Sequence, residues 1–503
     1  MGNLFAAIRA ANQDVSRTFL VTGSGRHVNY ADLFRDSGRM ANALVILGVK
    51  PGDRVAVQID KSPEALTLYL ACLRSGAVYL PLNTGYTARE IEYFLRDAEP
   101  RVVIASPHRH VEIDDLCISL GIEICESLGV EGDGTFCEIV DLCDPAFADV
   151  ERQPDDLAAI LYTSGTTGRS KGAMLTHHNL FSNAETLQSY WRFTKDDVLL
   201  HALPIFHTHG LFVASNVTLL AGASMIFLSK FDGDEVIRHL PRTTSMMGVP
   251  TFYVRLLQSP ALTKDLVRHI RLFVSGSAPL LADTHREWEA RTGHRILERY
   301  GMTETNMNTS NPYDGERVAG TVGFPLPGVS VRITDPESGK HLAQGEIGMI
   351  EVKGPNVFRG YWRMPEKTAA EFRADGFFIT GDLGKIDDRG YVHIVGRGKD
   401  LIISGGYNVY PKEVETEIDA MLGVVESAVI GVDHPDFGEG VTAVVVAQKG
   451  HSLTEAGVLK ALDGRLAKFK LPKRVFFVDD LPRNTMGKVQ KNLLRDQYAD
   501  SFQ

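Results

Sequence analysis

Short apolar runs rich in β-branched residues alternate with stretches of helical period, and this alternation constrains the fold more than any other feature. Arg54–Ile59 (RVAVQI) reads as a strand, Pro63–Ser75 as a helix, AVYLPL from Ala77 as a strand and VVIAS from Val102 as another. Parallel strands need a long crossover between them, usually a helix, so the pattern predicts α/β layers on largely parallel sheets. At 503 residues the chain is too long for one hydrophobic core, and at least two domains are expected. From about Gly328 the texture changes. VSVRITD, GMIEVKG and YVHIVGR are short strands between Gly, Pro and Asp turns, which predicts a β-rich subdomain. The segment Gly396–Pro411 (GRGKDLIISGGYNVYP) is dense in glycine and charge and reads as a hinge or an exposed loop. Beyond it, helix Lys412–Ala420, strands SAVIGVD and GVTAVVVA, helix Thr454–Leu466 and strand RVFFVD form a compact α+β pattern large enough for a domain. The expected division is therefore a large N-terminal domain, residues 1–398, and a small C-terminal one, residues 399–503, with the boundary at Lys399.

Charge and cysteine usage narrow the function classes. The balance of 53 basic against 63 acidic side chains, a formal charge of −10, argues against a nucleic-acid or anionic-membrane surface. No apolar stretch is long enough to span a bilayer, and the N-terminal run MGNLFAAIRAANQDVSRTF reads as an amphipathic helix rather than a signal peptide. Gly2 lacks the Ser or Thr at position 6 that myristoylation needs, since that residue is Ala6. Five cysteines, with no C-x-x-C pair, read as buried thiols in a reducing cytoplasm.

The segment Tyr162–Gly172 (YTSGTTGRSKG) follows an apolar strand end directly. Glycines 165, 168 and 172 let backbone N–H groups approach an anion; Thr163, Ser164, Thr166 and Thr167 add hydroxyls, and Lys171 adds a mobile cation. Such a donor set around one cation suits a polyphosphate. It is not a Walker loop, because Gly168 is followed by Arg169 and Ser170 rather than by Lys and Ser or Thr. The run GAMLTHHNL after it reads as a helix start. The pair His207 and His209 has no third ligand at matching spacing, which disfavours zinc; His177 and His178 read as structural.

YTSGTTGRSKG resembles the phosphate loop of the acyl-adenylate-forming superfamily, which includes acyl-CoA synthetases, luciferases and peptide-synthetase adenylation domains. LPIFHTHG, SGSAPL, YGMTE, TGDLG, GRGKDLIISGGYNVYP and PRNTMGKVQK follow in that family's order across nearly the whole chain. The resemblance implies ATP, Mg²⁺ and CoA as cofactor and substrates. It assigns Thr163, Ser164, Gly165, Thr166, Thr167, Gly168 and Lys171 to the phosphates, Ser277 and Ala278 to the adenine and acyl site, and Glu298, Arg299 and Tyr300 to the adenine strand. Thr303 goes to the α-phosphate, Glu304 to the metal, and Asp382 and Arg397 to the ribose. It makes Lys488 the catalytic cation, His207 a gate beside the acyl site, Lys399 the hinge of a mobile C-terminal domain, and Gly405 and Gly406 part of the pantetheine channel. It also marks Lys488 as a target for a lysine acetyltransferase and deacetylase. The chemistry agrees: a carboxylate attacking the α-phosphorus of ATP brings two anions together, so charge neutralisation and alignment carry the step.

GVPTFYVRLL (Gly248–Leu257) and ERYGMTETNMNTSNPYDGERVAGTVGFPLPGV resemble the malonyl-CoA synthetases of that superfamily over longer runs. On that resemblance the acid is malonate, with methylmalonate tolerated, and Arg255 is expected on the first turn of a helix after Pro250, forking onto the distal carboxylate. Three rivals stand beside this reading: a synthetase for another short-chain, medium-chain or aromatic acid, an adenylation enzyme loading a carrier protein, and a silent nucleotide-binding protein.

Overall fold

The computed structural model describes residues 2–163, 170–404, 407–463, 465–484 and 487–502. Among these residues two large sheets carry the N-terminal part. In the nine-stranded sheet the neighbours run Phe324–Pro325, Asn306–Ser310, Leu297–Met302, Leu272–Ser275, Ser245–Gly248, Val198–His201, Ser224–Phe227, Thr18–Thr22 and His27–Asn29. From Leu297–Met302 through Thr18–Thr22 every pairing is parallel. The second sheet has seven strands, centred on the parallel strands Arg54–Gln58, Val78–Pro81 and Val102–Ala105. The buried central strands are near-continuous apolar runs, as parallel strands covered on both faces require. Helix Pro63–Ser75 is buried along its whole length, consistent with its lack of a polar face.

A four-stranded antiparallel sheet, Ser330–Thr334, Gly348–Lys353, Phe378–Ile386 and Val392–Arg397, forms the expected β-rich subdomain. The separate C-terminal domain is built on a five-stranded sheet in which Val424–His434 and Gly438–Ala447 make the long hairpin and Arg474–Val478 pairs parallel to the latter. Its core is aliphatic, with Val429, Val441, Ala443 and Val445 packed on Val414, Ile418, Val458 and Leu462.

Three local expectations need correction. GAMLT is not a helix start: Lys171–Thr176 is a strand, and the helix begins at His177, where Thr176 and Asn179 form a reciprocal capping box. The helix expected over Thr454–Leu466 stops at Leu462, because Asp463 takes an extended conformation. Within Gly396–Pro411, Ile402–Ser404 and Tyr407–Val409 are antiparallel strands rather than open loop.

Candidate active site

The site residues come from the seven-stranded sheet, the nine-stranded sheet, the antiparallel subdomain and the C-terminal domain. Strand Leu157–Thr163 turns back as Lys171–Thr176, and Thr163 faces Lys171 across the neck of this hairpin. Ser164, Gly165, Thr166, Thr167 and Gly168, at its tip, lie outside the described residues, as do Gly405 and Gly406. At the neck, the Lys171 ammonium lies 4.2 Å from the centre of the Tyr361 ring and 3.2 Å from Glu371 Oε1. The Tyr361 hydroxyl sits 3.0 Å from Glu304 Oε1 and 2.6 Å from Glu371 Oε2. Glu304 is buried, and burial raises its carboxyl pKa, with the Tyr361 hydroxyl, Lys171 and Arg397 acting the other way. Thr303 is half-buried in the turn just before it.

Register builds the next group. Asp382 and Arg397 are direct cross-strand partners, and Arg397 Nε lies 2.7 Å from Asp382 Oδ1. The Tyr300 hydroxyl donates to Asp382 Oδ2 at 2.5 Å, and Thr380 Oγ1 accepts from the Asp382 amide. This fixes a buried carboxylate in the middle of strand Phe378–Ile386. Lys488 enters the same group from the C-terminal domain. Burial pushes its ammonium down to about 8; Arg397 and Lys399 add to the fall, while Asp382 and Asp400 oppose it. The Lys488 amide donates to Asn484 Oδ1, so the loop carrying it is closed on itself. Gly487, with φ +74, lies beside Thr251 of helix Pro250–Leu257, and an added Cβ would come 3.3 Å from that side chain in a left-handed backbone conformation that favours glycine. Lys399 lies in the single helical turn Gly398–Asp400, and Asp400 pairs with Arg495 at 2.5 Å.

Deeper in, His207, His209, Ser277 and Arg299 cluster. Ser277 has a left-handed φ of +71, rare for a side-chain-bearing residue, and its hydroxyl is 3.2 Å from His209 Nδ1; Ala278 beside it is half-buried. Arg299 is 3 % exposed and lies on Gly276, where any side chain would collide with the guanidinium. Among the described residues, its Nε and Nη2 are buried without a hydrogen-bond partner. Burial lowers the guanidinium to about 9. Burial and Arg299 together push His207 down to about 4 and His209 well below its ordinary value, so both imidazoles are neutral. Glu298, also buried, is raised to about 8 by desolvation, and its Oε1 accepts from the Leu280 amide. A fully buried cation with open donors is costly unless something anionic completes it.

The comparisons with known proteins agree with this geometry. The model of the AMP-binding enzyme family matches residues 8–362, and that of the AMP-binding enzyme C-terminal domain matches residues 413–488. The chain belongs to the AMP-binding enzyme family. It is thus a member of the acyl-adenylate-forming superfamily that its motifs resemble. The structure of ATP-bound MatB from Rhodopseudomonas palustris superposes with a TM-score of 0.98 at 65% identity, over all of both chains. A feruloyl-CoA synthase of Amycolatopsis sp is 37% identical over 488 residues, covering 95% of this chain and 96% of that protein. A mitochondrial malonate–CoA ligase of Mus musculus is 36% identical over 529 residues, covering 97% and 89%.

Within this AMP-binding enzyme, one residue does not sit where the sequence suggested. Helix Pro250–Leu257 buries Tyr253, Leu256 and Leu257, and that i, i+3, i+4 stripe turns Arg255 to solvent in the last turn rather than the first. The buried arginine facing the histidines is Arg299. Two further residues, Tyr361 and Glu371, escaped the sequence reading altogether. They stand ten residues apart across a short helix, and only the pairing of Gly360–Tyr361 with Ala173 and Met174 brings them to the hairpin neck.

Proposed function

We propose that the chain is an AMP-forming malonate–CoA ligase, converting malonate, ATP and CoA to malonyl-CoA, AMP and pyrophosphate. The observation that carries the choice of acid is Arg299, a buried cation with two open N–H donors beside neutral His207 and Ser277. A monocarboxylate would leave those donors unpaired; a short dicarboxylate supplies a second anion to complete them. The malonate–CoA ligase among the relatives supports the same acid. Arg299 thus takes the distal-carboxylate role first expected of Arg255.

In the first half-reaction a carboxylate oxygen attacks the α-phosphorus and pyrophosphate leaves. Lys488 neutralises the two anions as they meet, a task suited to a compact ammonium with rotatable donors. Asp382 accepts the ribose hydroxyls, while Arg397 holds Asp382 in place. Tyr300 and Ser277–Ala278 flank the base, Glu298 and Arg299 precede it on the strand, Thr303 reaches the α-phosphate, and Thr163 to Gly168 with Lys171 cradle the β- and γ-phosphates. His207, neutral, closes the acyl side. Glu304 fits Mg²⁺: it is a buried hard-oxygen ligand a short reach from the phosphate hairpin, with Tyr361 fixing one oxygen. When bound, Mg²⁺ would screen the polyphosphate charge.

In the second half-reaction the CoA sulfur attacks the acyl carbon and AMP departs. Lys488 covers that approach, so the C-terminal domain, residues 399–503, must turn about Lys399 and bring Gly405 and Gly406 to the pantetheine. We place Lys488 as the site where an acetyltransferase silences the first step and a deacetylase restores it. The cysteines are all free thiols, in keeping with a reducing compartment such as the cytoplasm, and no helix among the described residues is long and apolar enough to cross a membrane. Pyrophosphate release measured with malonate, methylmalonate, butyrate and ferulate tests the reading. Malonate is expected to lead; a lead for butyrate or ferulate overturns the choice of acid while leaving the ligase chemistry.

A further inference from the structure

The Lys171 ammonium does not wait in solvent. Its side chain is 20% exposed, that of Glu371 is 19%, and the two meet at 3.2 Å at the hairpin neck. Glu371 directly follows the helix Pro365–Ala370 and gathers two further donors: Lys367 Nζ at 2.8 Å, one turn back, and the Tyr361 hydroxyl at 2.6 Å. Two cations therefore face one carboxylate. If Lys171 leaves, Lys367 still pairs with Glu371, so withdrawal of Lys171 strands no buried charge. Lys171 has nothing comparable among the described residues, where its ammonium meets Glu371 and the face of the Tyr361 ring. A polyphosphate, which offers several anionic oxygens, can compete with this single carboxylate.

We propose that Glu371 is a stand-in anion that holds the Lys171 ammonium at the hairpin neck until the ATP polyphosphate takes it over, with Lys367 left to neutralise the carboxylate. Glu371 is then a positioning residue. It holds the cation at the hairpin neck, and binding becomes an exchange of one anion for another. This inference rests on the reading of the hairpin as the polyphosphate site.

Competition has a sign that a merely structural role does not share. Removing the competing carboxylate tightens nucleotide binding; removing the second lysine, which relieves Lys171 of Glu371, loosens it. The experiment is calorimetric titration of ATP in EDTA, and again with Mg²⁺, into the full chain. Glu371→Gln is expected to tighten metal-free ATP binding about three- to tenfold, and Lys367→Met to loosen it by a similar factor, the range of one partly buried ion pair. Both effects are expected to vanish in a Lys171→Met background. A folded Glu371→Gln protein that binds ATP equally or more weakly overturns the proposal, as does an effect that survives without Lys171. Should Glu371→Gln fail to fold, Lys367→Met decides alone. Its side chain is 46% exposed, and unchanged or tighter binding refutes the exchange. Wild type that binds no ATP would instead sink the reading of the hairpin itself.

Discussion

Replacing Arg299 by Met separates the acid-recognition claim from general damage, because its two effects have opposite sign. The guanidinium is 3 % exposed, with Nε and Nη2 both buried and unpartnered among the described residues. Each charge-assisted hydrogen bond to a carboxylate is worth about 1.5–3 kcal/mol. Two such bonds lost together amount to about 3–6 kcal/mol, or roughly 10²- to 10⁴-fold in kcat/KM for malonate. Without substrate the balance reverses. Burial already pulls this guanidinium to about 9, a sign that the fold disfavours its charge. A methionine of similar length is therefore expected to leave the melting temperature of the ligand-free protein unchanged or raised. The assay is pyrophosphate release with malonate and with butyrate, beside a thermal melt, for wild type, Arg299→Met and Arg255→Ala. Arg299→Met is expected to lose malonate activity while butyrate activity holds or grows, and exposed Arg255→Ala to stay within about threefold of wild type. The reasoning is refuted if Arg299→Met keeps its malonate kcat/KM, or loses malonate and butyrate in the same proportion.

Lys488 acts as a cation, and burial sets its value at about 8, below the free lysine value of 10.5. The adenylation-ready arrangement therefore holds the ammonium below about pH 8 and loses it as pH rises through that value, so kcat/KM for pyrophosphate release is expected to fall on that alkaline limb; a profile flat to about pH 10 would contradict it. Lys488→Ala is expected to abolish pyrophosphate release while retaining most thioester formation from preformed malonyl-adenylate and CoA; equal loss in both half-reactions would refute the two-arrangement scheme. Glu304→Gln is expected to remove the Mg²⁺-dependent part of ATP affinity and to leave binding in EDTA near wild type, read by calorimetry.

Much of the fold was legible because its period was local. Helix Pro63–Ser75 announces itself through Ser62, which caps it, Pro63 at its first position and Gly76 in the left-handed conformation just past its end. The hairpin at Tyr162–Gly172 showed through its glycines, but GAMLT could not be told from a helix start, since a short apolar run fits either period. It became a strand by pairing with Leu157–Thr163 on one side and Gly360–Tyr361 on the other. Arg255 was misplaced for a related reason. Arg255 stood in a run that resembles the acyl pocket, but the rotation of a helix is decided by which residues it buries, here Tyr253, Leu256 and Leu257. Arg299 was in plain view beside Tyr300, yet nothing in a strand sequence says that Gly276 on the neighbouring segment leaves room for it. Tyr361 and Glu371 were invisible for the same reason, because their meeting with Lys171 and Glu304 is wholly a product of long-range pairing.

The most direct test of the central claim offers the enzyme equimolar malonate and butyrate with ATP, Mg²⁺ and limiting CoA, and reads the thioesters by mass spectrometry. Malonyl-CoA is expected to dominate, with AMP and pyrophosphate formed in equal amounts and the preference abolished in Arg299→Met. Predominant butyryl-CoA, or a malonate preference that survives loss of Arg299, would contradict it.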